Sequence, residues 1–316
     1  MKKFFKYFLI FLFLILIIYY LYSIISIRLS YKEVESLKDS DSKFIEIDNF
    51  NLHYKEYGEK DKVILLIHGF AANTFSFRNL YKPLSKYGKV IAIDVPGFGL
   101  TERVDKNKVK FNPYSIDGQV ETIKIFLDKK HIDKVIILGH SMGGGIAIYF
   151  SIKYPEYVEK LIIEDGAIFE GKGAPNLIVS FLKTPIGKFL WPALVKPLVN
   201  QISKLLDIAY YNKSIINDEF IEGYKRILNV KNWDKGLYEV TIANNNINLI
   251  DKLSNIETKT LIIWGEFDKV IPVESGIKLN KEIKNSELVI LKECGHVPHE
   301  EREEEFLEKI ILFIEK

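Results

Sequence analysis

Val135-Ile136-Ile137-Leu138-Gly139-His140-Ser141-Met142-Gly143-Gly144-Gly145-Ile146-Ala147-Ile148 is the stretch whose reading decides the fold. Its first four residues form an apolar run short enough for a buried strand. The small-residue segment after Gly143 suits a helix that ends before Pro155. Between them lies Gly-x-Ser-x-Gly, and a strand on one side with a helix on the other makes that motif a nucleophile elbow rather than a chance match. The turn is so tight that side chains at its flanks would collide, which requires glycine at Gly139 and Gly143. The central Ser141 is then held in a strained conformation, its hydroxyl above the sheet edge and beside a helix N-terminus that favours developing negative charge. The plainer alternative is a glycine-rich strand–helix turn with an idle serine.

A serine hydroxyl is a weak nucleophile at neutral pH, so the elbow needs a base and a group to orient that base. Downstream, Thr260-Leu261-Ile262-Ile263-Trp264 reads as a buried strand followed by Gly265-Glu266-Phe267-Asp268, and Leu288-Val289-Ile290-Leu291 as another followed by Cys294-Gly295-His296. After an elbow the partners come in chain order serine, acid, histidine. Asp268 and His296 fit that order, each just past the C-terminal end of a strand, where open α/β sheets place their sites. Glu266 ranks second as the acid, because Asp268 heads the turn into Val270-Ile271-Pro272. Asp165, after Leu161-Ile162-Ile163, is a weaker alternative. Of the other histidines, His299 is expected at the surface or in support. His140 should pack against neighbouring loops on the substrate side, and His53 and His131 should face solvent. Cys294 is read as a packing residue, since Ser141 fills the nucleophile role.

Acyl transfer also needs donors for a tetrahedral oxyanion. Val63-Ile64-Leu65-Leu66-Ile67 runs as a strand into His68-Gly69-Phe70-Ala71-Ala72. One donor is the backbone N–H after the nucleophile, here Met142; the other comes from the loop after the third strand, most simply Phe70. Gly69 lets that backbone approach substrate closely. No cofactor is required, and the sequence carries no metal-ligand cluster and no internal repeat.

The N-terminus differs sharply from the rest. Lys2, Lys3 and Lys6 precede an uncharged run from Tyr7 to Ile27, 21 residues that span roughly 30 Å as a helix and match a bilayer core. Large residues, Tyr19-Tyr20-Leu21-Tyr22 and Ile24-Ile25, stand where a signal peptidase site would need small ones, so the segment reads as an uncleaved anchor. The short basic tail favours a cytoplasmic N-terminus and a catalytic domain on the extracytoplasmic side. A single cysteine offers no disulfide to report the compartment. Without Lys2, Lys3, Lys6 and Arg28, the 44 basic residues fall to 40 against 42 acidic ones, a near-balance that argues against a nucleic-acid partner.

The expected organisation is an anchor with its basic tail over 1–29, a polar stalk over 30–43, a core over 44–166 and 260–316, and a helical cap over 167–259. The core strands alternate with helices and read as continuous apolar runs, which implies an α/β, doubly wound, mostly parallel sheet. Phe44 to Ile47 and Leu52 to Tyr57 flank Asp48-Asn49 as an antiparallel hairpin. The cap interval breaks the alternation with Pro175, Pro185, Pro192 and Pro197 and with two of the three tryptophans. Its ninety-odd residues are too many for a loop. Most of its apolar residues form the cap's own core, and some of Phe169, Phe181, Trp191 and Leu194 are expected to face substrate.

Together these residues resemble the α/β-hydrolase superfamily from about Ile45 to the C-terminus. Asp94-Val95-Pro96-Gly97-Phe98-Gly99, Tyr114 to Val120, Ile263-Trp264-Gly265 and Glu293-Cys294-Gly295-His296 add to the likeness. With the anchor they are similar to membrane-anchored monoacylglycerol lipases and related bacterial lipases. His140 departs from the animal members, which carry a smaller polar residue there. The resemblance implies a serine hydrolase of lipid-like carboxylic esters, with monoacylglycerols or medium-chain acyl esters as substrates. A serine at the elbow excludes the relatives that use aspartate there to form an alkyl ester. Rival readings are a carbon–carbon bond hydrolase of ring-cleavage diketones, a perhydrolase, and a non-catalytic binding protein that keeps the fold.

Overall fold

The computed structural model describes residues 2–168, 176–243 and 249–316. Helix α1 (Lys2–Ser30) precedes a hairpin of β1 (Lys43–Ile47) and β2 (Phe50–Tyr57). There follow β3 (Val63–Ile67), α2 (Tyr81–Leu84), β4 (Lys89–Ile93), α3 (Ile116–Lys129), β5 (Val135–His140), α4 (Met142–Lys153) and β6 (Val158–Glu164). The interval to the next strand holds α5 (Asn176–Leu182), α6 (Pro185–Asn200), α7 (Ile202–Ala209), α8 (Asp218–Lys225) and α9 (Trp233–Ile242). The chain closes with β7 (Thr260–Gly265), α10 (Val273–Glu282), β8 (Ser286–Leu291), α11 (Pro298–Glu301) and α12 (Glu303–Glu315).

The described strands form one sheet in the order β1-β2-β4-β3-β5-β6-β7-β8. β2 is antiparallel to both β1 and β4, and every other neighbouring pair is parallel, as the continuous apolar runs require. Asp48 and Asn49 both take positive φ, the two-residue turn whose twist matches a hairpin. Alternate residues of each strand feed opposite layers. Leu65 and Ile67 pack with Phe126 of α3 and Ile146 and Phe150 of α4. Ile64 and Leu66 pack with Tyr81 of α2 and Phe306 and Phe313 of α12. The chain runs outward from β3 to β4 and then returns to β5 on the other side of β3. The loops after β3 and β5 therefore open on one crevice at the topological switch point.

Two expectations need correction. Residues 30–43 are not a free stalk: Lys32 N–H donates to Asn229 O (2.7 Å), Lys231 N–H to Lys32 O (3.1 Å), and Leu37 is buried with Leu100 and Val230. The charges that looked solvated in the sequence are complementary to the domain, since Asp39 takes Lys55 and Arg226 at 2.8 Å each. His53 does not face solvent. It is buried, with Nδ1 2.7 Å from Asp94 Oδ2 and Nε2 3.0 Å from Ser42 Oγ, because β2 is covered where it meets the loop after β4. His299, expected at the surface or in support, is buried, which leaves the supporting role. His131 is exposed, at a positive-φ turn.

Asp94 ties the loop after β4 to the loop after β3. It is buried and accepts the Thr74 N–H at 2.7 Å and the Leu100 N–H at 2.7 Å, besides meeting His53. Burial works against its charge, but His53, His68 and these donors outweigh it and hold the carboxyl well below the usual range. Asp94→Ala should therefore cost about 3–5 kcal/mol in denaturant unfolding, because it orphans two buried amides and an imidazole. A loss under about 1 kcal/mol would show that water replaces the carboxylate.

Candidate active site

Ser141 sits between β5 and α4 at φ 53° and ψ −117°. Close backbone approach imposes this geometry: a Cβ on Gly139 would lie 2.2 Å from Gly143 O, and one on Gly143 would lie 2.1 Å from Ile67 O. Both glycines are required by contact, since real Cβ atoms do not come that near. Ser141 N–H donates to Glu164 O (2.9 Å), while Ser141 O accepts from Gly144, Gly145 and Ala167.

From the elbow a chain of two hydrogen bonds leads inward. Ser141 Oγ is 2.9 Å from His296 Nε2, and His296 Nδ1 is 2.7 Å from Asp268 Oδ2. The other Asp268 oxygen accepts the N–H groups of Val270 (2.7 Å) and Ile271 (2.9 Å), which fix the carboxylate in the turn after β7. Burial alone would raise its pKa, but the hydrogen bond and charge of His296 outweigh it, and the group stays ionised. Glu266, the second choice as acid, is exposed, and its Oε2 accepts the Glu293 N–H instead.

The His296 backbone is fixed on both sides. Its N–H donates to Ala209 O of α7 (2.6 Å), and its carbonyl accepts from His140 Nε2 (2.7 Å). Burial pushes His140 down to about 3, against the pull of Glu164, so the ring is neutral at pH 7 and its Nε2–H is the donor. His140 thus holds the histidine loop. Glu301 completes the fixture, accepting Gly295 N–H through one oxygen (2.8 Å) and Tyr211 and Asn212 N–H through the other (2.8 and 2.9 Å). Below His140 lies a second, buried Ser–His–Glu chain. His299 Nδ1 is 2.7 Å from Glu164 Oε1, and His299 Nε2 is 2.8 Å from Ser76 Oγ. Nothing in the primary sequence marks Glu164 or Ser76, whose shared partner His299 lies 135 and 223 residues away, and two of the three amides held by Glu301 lie about 90 residues before it.

The loop after β3 lies directly over the elbow. A Cβ on Gly69 would sit 3.0 Å from Ser141 Cβ, which brings Phe70 alongside. His68 shapes this loop: its Nδ1 meets Gly69 O at 2.7 Å, and its Nε2 accepts the Val95 N–H at 3.1 Å. Its role was not legible beyond a strand-ending turn. Met142 opens α4, so its N–H has no acceptor within the helix and is free to serve a ligand. Among the described residues one cluster could be considered for a metal, Asp165, Asp268 and His296. The 2.7 Å His296–Asp268 contact is a hydrogen-bond length, whereas two ligands on one metal at about 2.0–2.1 Å stand farther apart than that in a tetrahedral site. Cys294 is buried, and burial raises its pKa, which leaves it a packing thiol.

Of the residues expected on the substrate side, Gly69 and His140 lie at the elbow. Trp191 is a correction: it packs with Ile27, Leu182, Val195, Trp233 and Tyr238, and its Nε1–H donates to Asp234 O (2.8 Å). The apolar residues of α1 draw it into a joint core. Phe181 and Leu194 are 41% and 49% exposed on α5 and α6, and Phe169 lies outside the described residues.

Residues 62–303 match the model of a family described as alpha/beta hydrolase fold. A curated relative from Pseudomonas putida, a 2-hydroxy-6-oxononadienedioate/2-hydroxy-6-oxononatrienedioate hydrolase, is 28% identical over 284 residues, 86% of this chain and 96% of the relative. A candidate lipase of Acinetobacter baumannii superposes with a TM-score of 0.69 at 26% identity, over 86% of this chain and 90% of that one. The structure of a membrane phospholipase A, similar in fold at 24% identity and a TM-score of 0.67, covers 100% of this chain and 98% of its own. That last likeness therefore extends over α1.

Asp165 is buried beside the site at positive φ, with Oδ1 accepting Gly265 N–H (3.1 Å). Burial first, and then the charge of Asp268, raise its pKa well above the carboxylate range. A raised folded-state pKa means that stability falls as pH rises past the unfolded value of about 4, by up to ~1.4 kcal/mol per unit. Asp165→Asn should therefore leave turnover at pH 7 within about threefold, and its stability advantage over the wild type should widen from pH 4 upward. A constant gap across that range would show that Asp165 is ionised.

Proposed function

The chain belongs to the alpha/beta hydrolase fold family and is a hydrolase; we propose that its reaction is the cleavage of carboxylic esters, with lipid-like acyl esters as its substrates, through an acyl-enzyme on Ser141. The observation that carries this reading is the continuous hydrogen-bonded chain from Ser141 Oγ through His296 to Asp268, at 2.9 and 2.7 Å. His296 Nε2 takes the Ser141 proton as Oγ attacks the ester carbonyl, and Asp268 holds the imidazole in the required tautomer. The oxyanion is met by the Phe70 and Met142 amides. His296 returns the proton to the departing alkoxide, which leaves as alcohol. A water, deprotonated by His296, then attacks the acyl carbonyl, and Oγ leaves with the proton to restore the serine. Gly69 and His140 shape this site rather than react in it.

Two observations favour lipid esters. The helix Lys3–Ser30 is long and apolar enough to cross a membrane, and it packs directly on α6. The Acinetobacter baumannii neighbour supports ester chemistry. We place the domain on the extracytoplasmic side of a single span, as the basic tail favours. A second reading, carbon–carbon cleavage of a ring-cleavage product, draws on the Pseudomonas putida relative. A dioate carries two carboxylates and calls for guanidinium partners. Of this chain's arginines, however, Arg78 pairs with Glu300, Arg226 with Asp39 and Arg302 with Glu305, Arg103 donates to backbone carbonyls, and Arg28 lies in α1.

Ser141→Ala and His296→Ala should each lower ester kcat by at least ~10⁴-fold with the fold retained by circular dichroism. Across p-nitrophenyl esters, kcat/KM should rise from acetate to medium chains, because each buried CH₂ adds up to ~0.8 kcal/mol. Activity that declines steadily from acetate would replace the lipid reading with a small-ester esterase. Turnover of a ring-cleavage diketone without ester hydrolysis would establish the second reading.

A further inference from the structure

We propose that α5 and α6 form a second membrane contact, lying in the lipid interface beside α1 with their exposed apolar side chains in the bilayer; the inference rests on the reading of α1 as a membrane span. Three observations carry it. The first is length. The apolar helix covers 28 residues, Lys3–Ser30, or about 42 Å, whereas a hydrocarbon core is about 30 Å. About eight residues are surplus, and the structure shows which: Ser23 and Ile27 are buried, while the helix before Tyr19 is exposed along its length. The last two turns of α1 belong to the domain, with Ile27 in one cluster with Trp191 and Trp233. The membrane surface therefore falls near Tyr19, Tyr20 and Tyr22, the residue type that favours that level.

The second observation is the level of α6. Phe189 stacks on Tyr20 with ring centroids 4.3 Å apart, and Tyr19 Oη donates to Ala193 O at 3.3 Å. The middle of α6 thus stands at the level of the tyrosines, and the domain meets the bilayer there. The third is what α5 and α6 expose: Leu177, Ile178, Phe181, Ile186, Phe189 and Leu194. Such a density of large apolar side chains on two consecutive helices is costly in water. Lys183 and Lys188, also exposed, stand among them. Apolar side chains with interspersed lysines, at the end of a span, fit a bilayer with anionic headgroups. The patch is continuous with the lipid-facing surface of α1 through the Tyr20–Phe189 stack, so one occupant, the bilayer, covers both.

The test uses the full-length chain in nanodiscs of phosphatidylcholine and phosphatidylglycerol. Native Cys294 is buried, so nitroxide labels can be placed singly at Ile178→Cys, Ile186→Cys and, as an aqueous control, Lys82→Cys. Collision with oxygen relative to a water-soluble nickel chelate should be at least ~5-fold higher at the first two positions than at the third. A ratio equal to the control puts the face in water, and exclusion of both reagents puts it against protein, such as a second copy; either overturns the proposal. The pair Ile178→Glu and Ile186→Glu should lower hydrolysis of a vesicle-embedded long-chain ester at least ~10-fold while leaving a soluble short-chain ester unchanged. If the wild type hydrolyses neither ester, the functional reading fails while the label depths still decide this one. If the chain is extracted by carbonate, the span itself is wrong.

Discussion

The constraint on which the structure depends is the backbone crossing at Gly139 and Gly143. Only with no side chain at either position can β5 turn into α4 within one residue, and that residue is then forced to φ 53°. A non-glycine residue held there stores about 1–3 kcal/mol of strain. Hydrogen bonds from the Ser141 amide to Glu164 O, and from the Gly144, Gly145 and Ala167 amides to the Ser141 carbonyl, offset it at about 1 kcal/mol each. The same closeness that forbids a Cβ on Gly143 brings the loop after β3 over the serine. The elbow and the placing of the loop after β3 over it therefore follow from one steric fact.

Around that fact the polar groups separate into two layers. Asp268, His296 and Ser141 form one chain, and Glu164, His299 and Ser76 form another with nearly the same spacing. What distinguishes them is access. Ser76 is sealed by Tyr224, whose hydroxyl lies 3.2 Å away and bonds Glu300 as well, so the second chain has no route to a substrate. Burial works against the charge of Glu164, but His299, through its own charge and its hydrogen bonds, outweighs that cost, and the carboxylate steadies the base of the site. Between the layers His140 stays neutral and holds the His296 carbonyl. The inserted helices join the same framework through Ala209 O and through Glu301, so a shift of α7 is felt at His296.

The fold was legible because it is written in local signals. Short apolar runs, the Asp48-Asn49 turn and Gly-x-Ser-x-Gly each specify their own geometry, and the α/β sheet of eight strands follows from their alternation. Ser141, Asp268 and His296, picked from strand ends, are the residues that the structure brings into hydrogen-bonding reach. What stayed hidden depends on long-range complementarity. The charges of 30–43 read as solvated until Lys55 and Arg226 came beside them. His53 read as exposed until Asp94 met it. Trp191, on an apolar helix, carried no mark of whether α1 or a substrate would be its neighbour. Glu164 and Glu301 are glutamates among many, and only the folded chain gives them partners.

The most direct measurement of the central claim is covalent. Full-length protein treated with a fluorophosphonate probe and digested should carry the adduct on the peptide containing Ser141. Labelling should be stoichiometric in the wild type and lost in His296→Ala, since the nucleophile requires that base. An adduct on another serine, or equal labelling of Ser141 with and without His296, would contradict the assignment of an activated Ser141–His296–Asp268 chain.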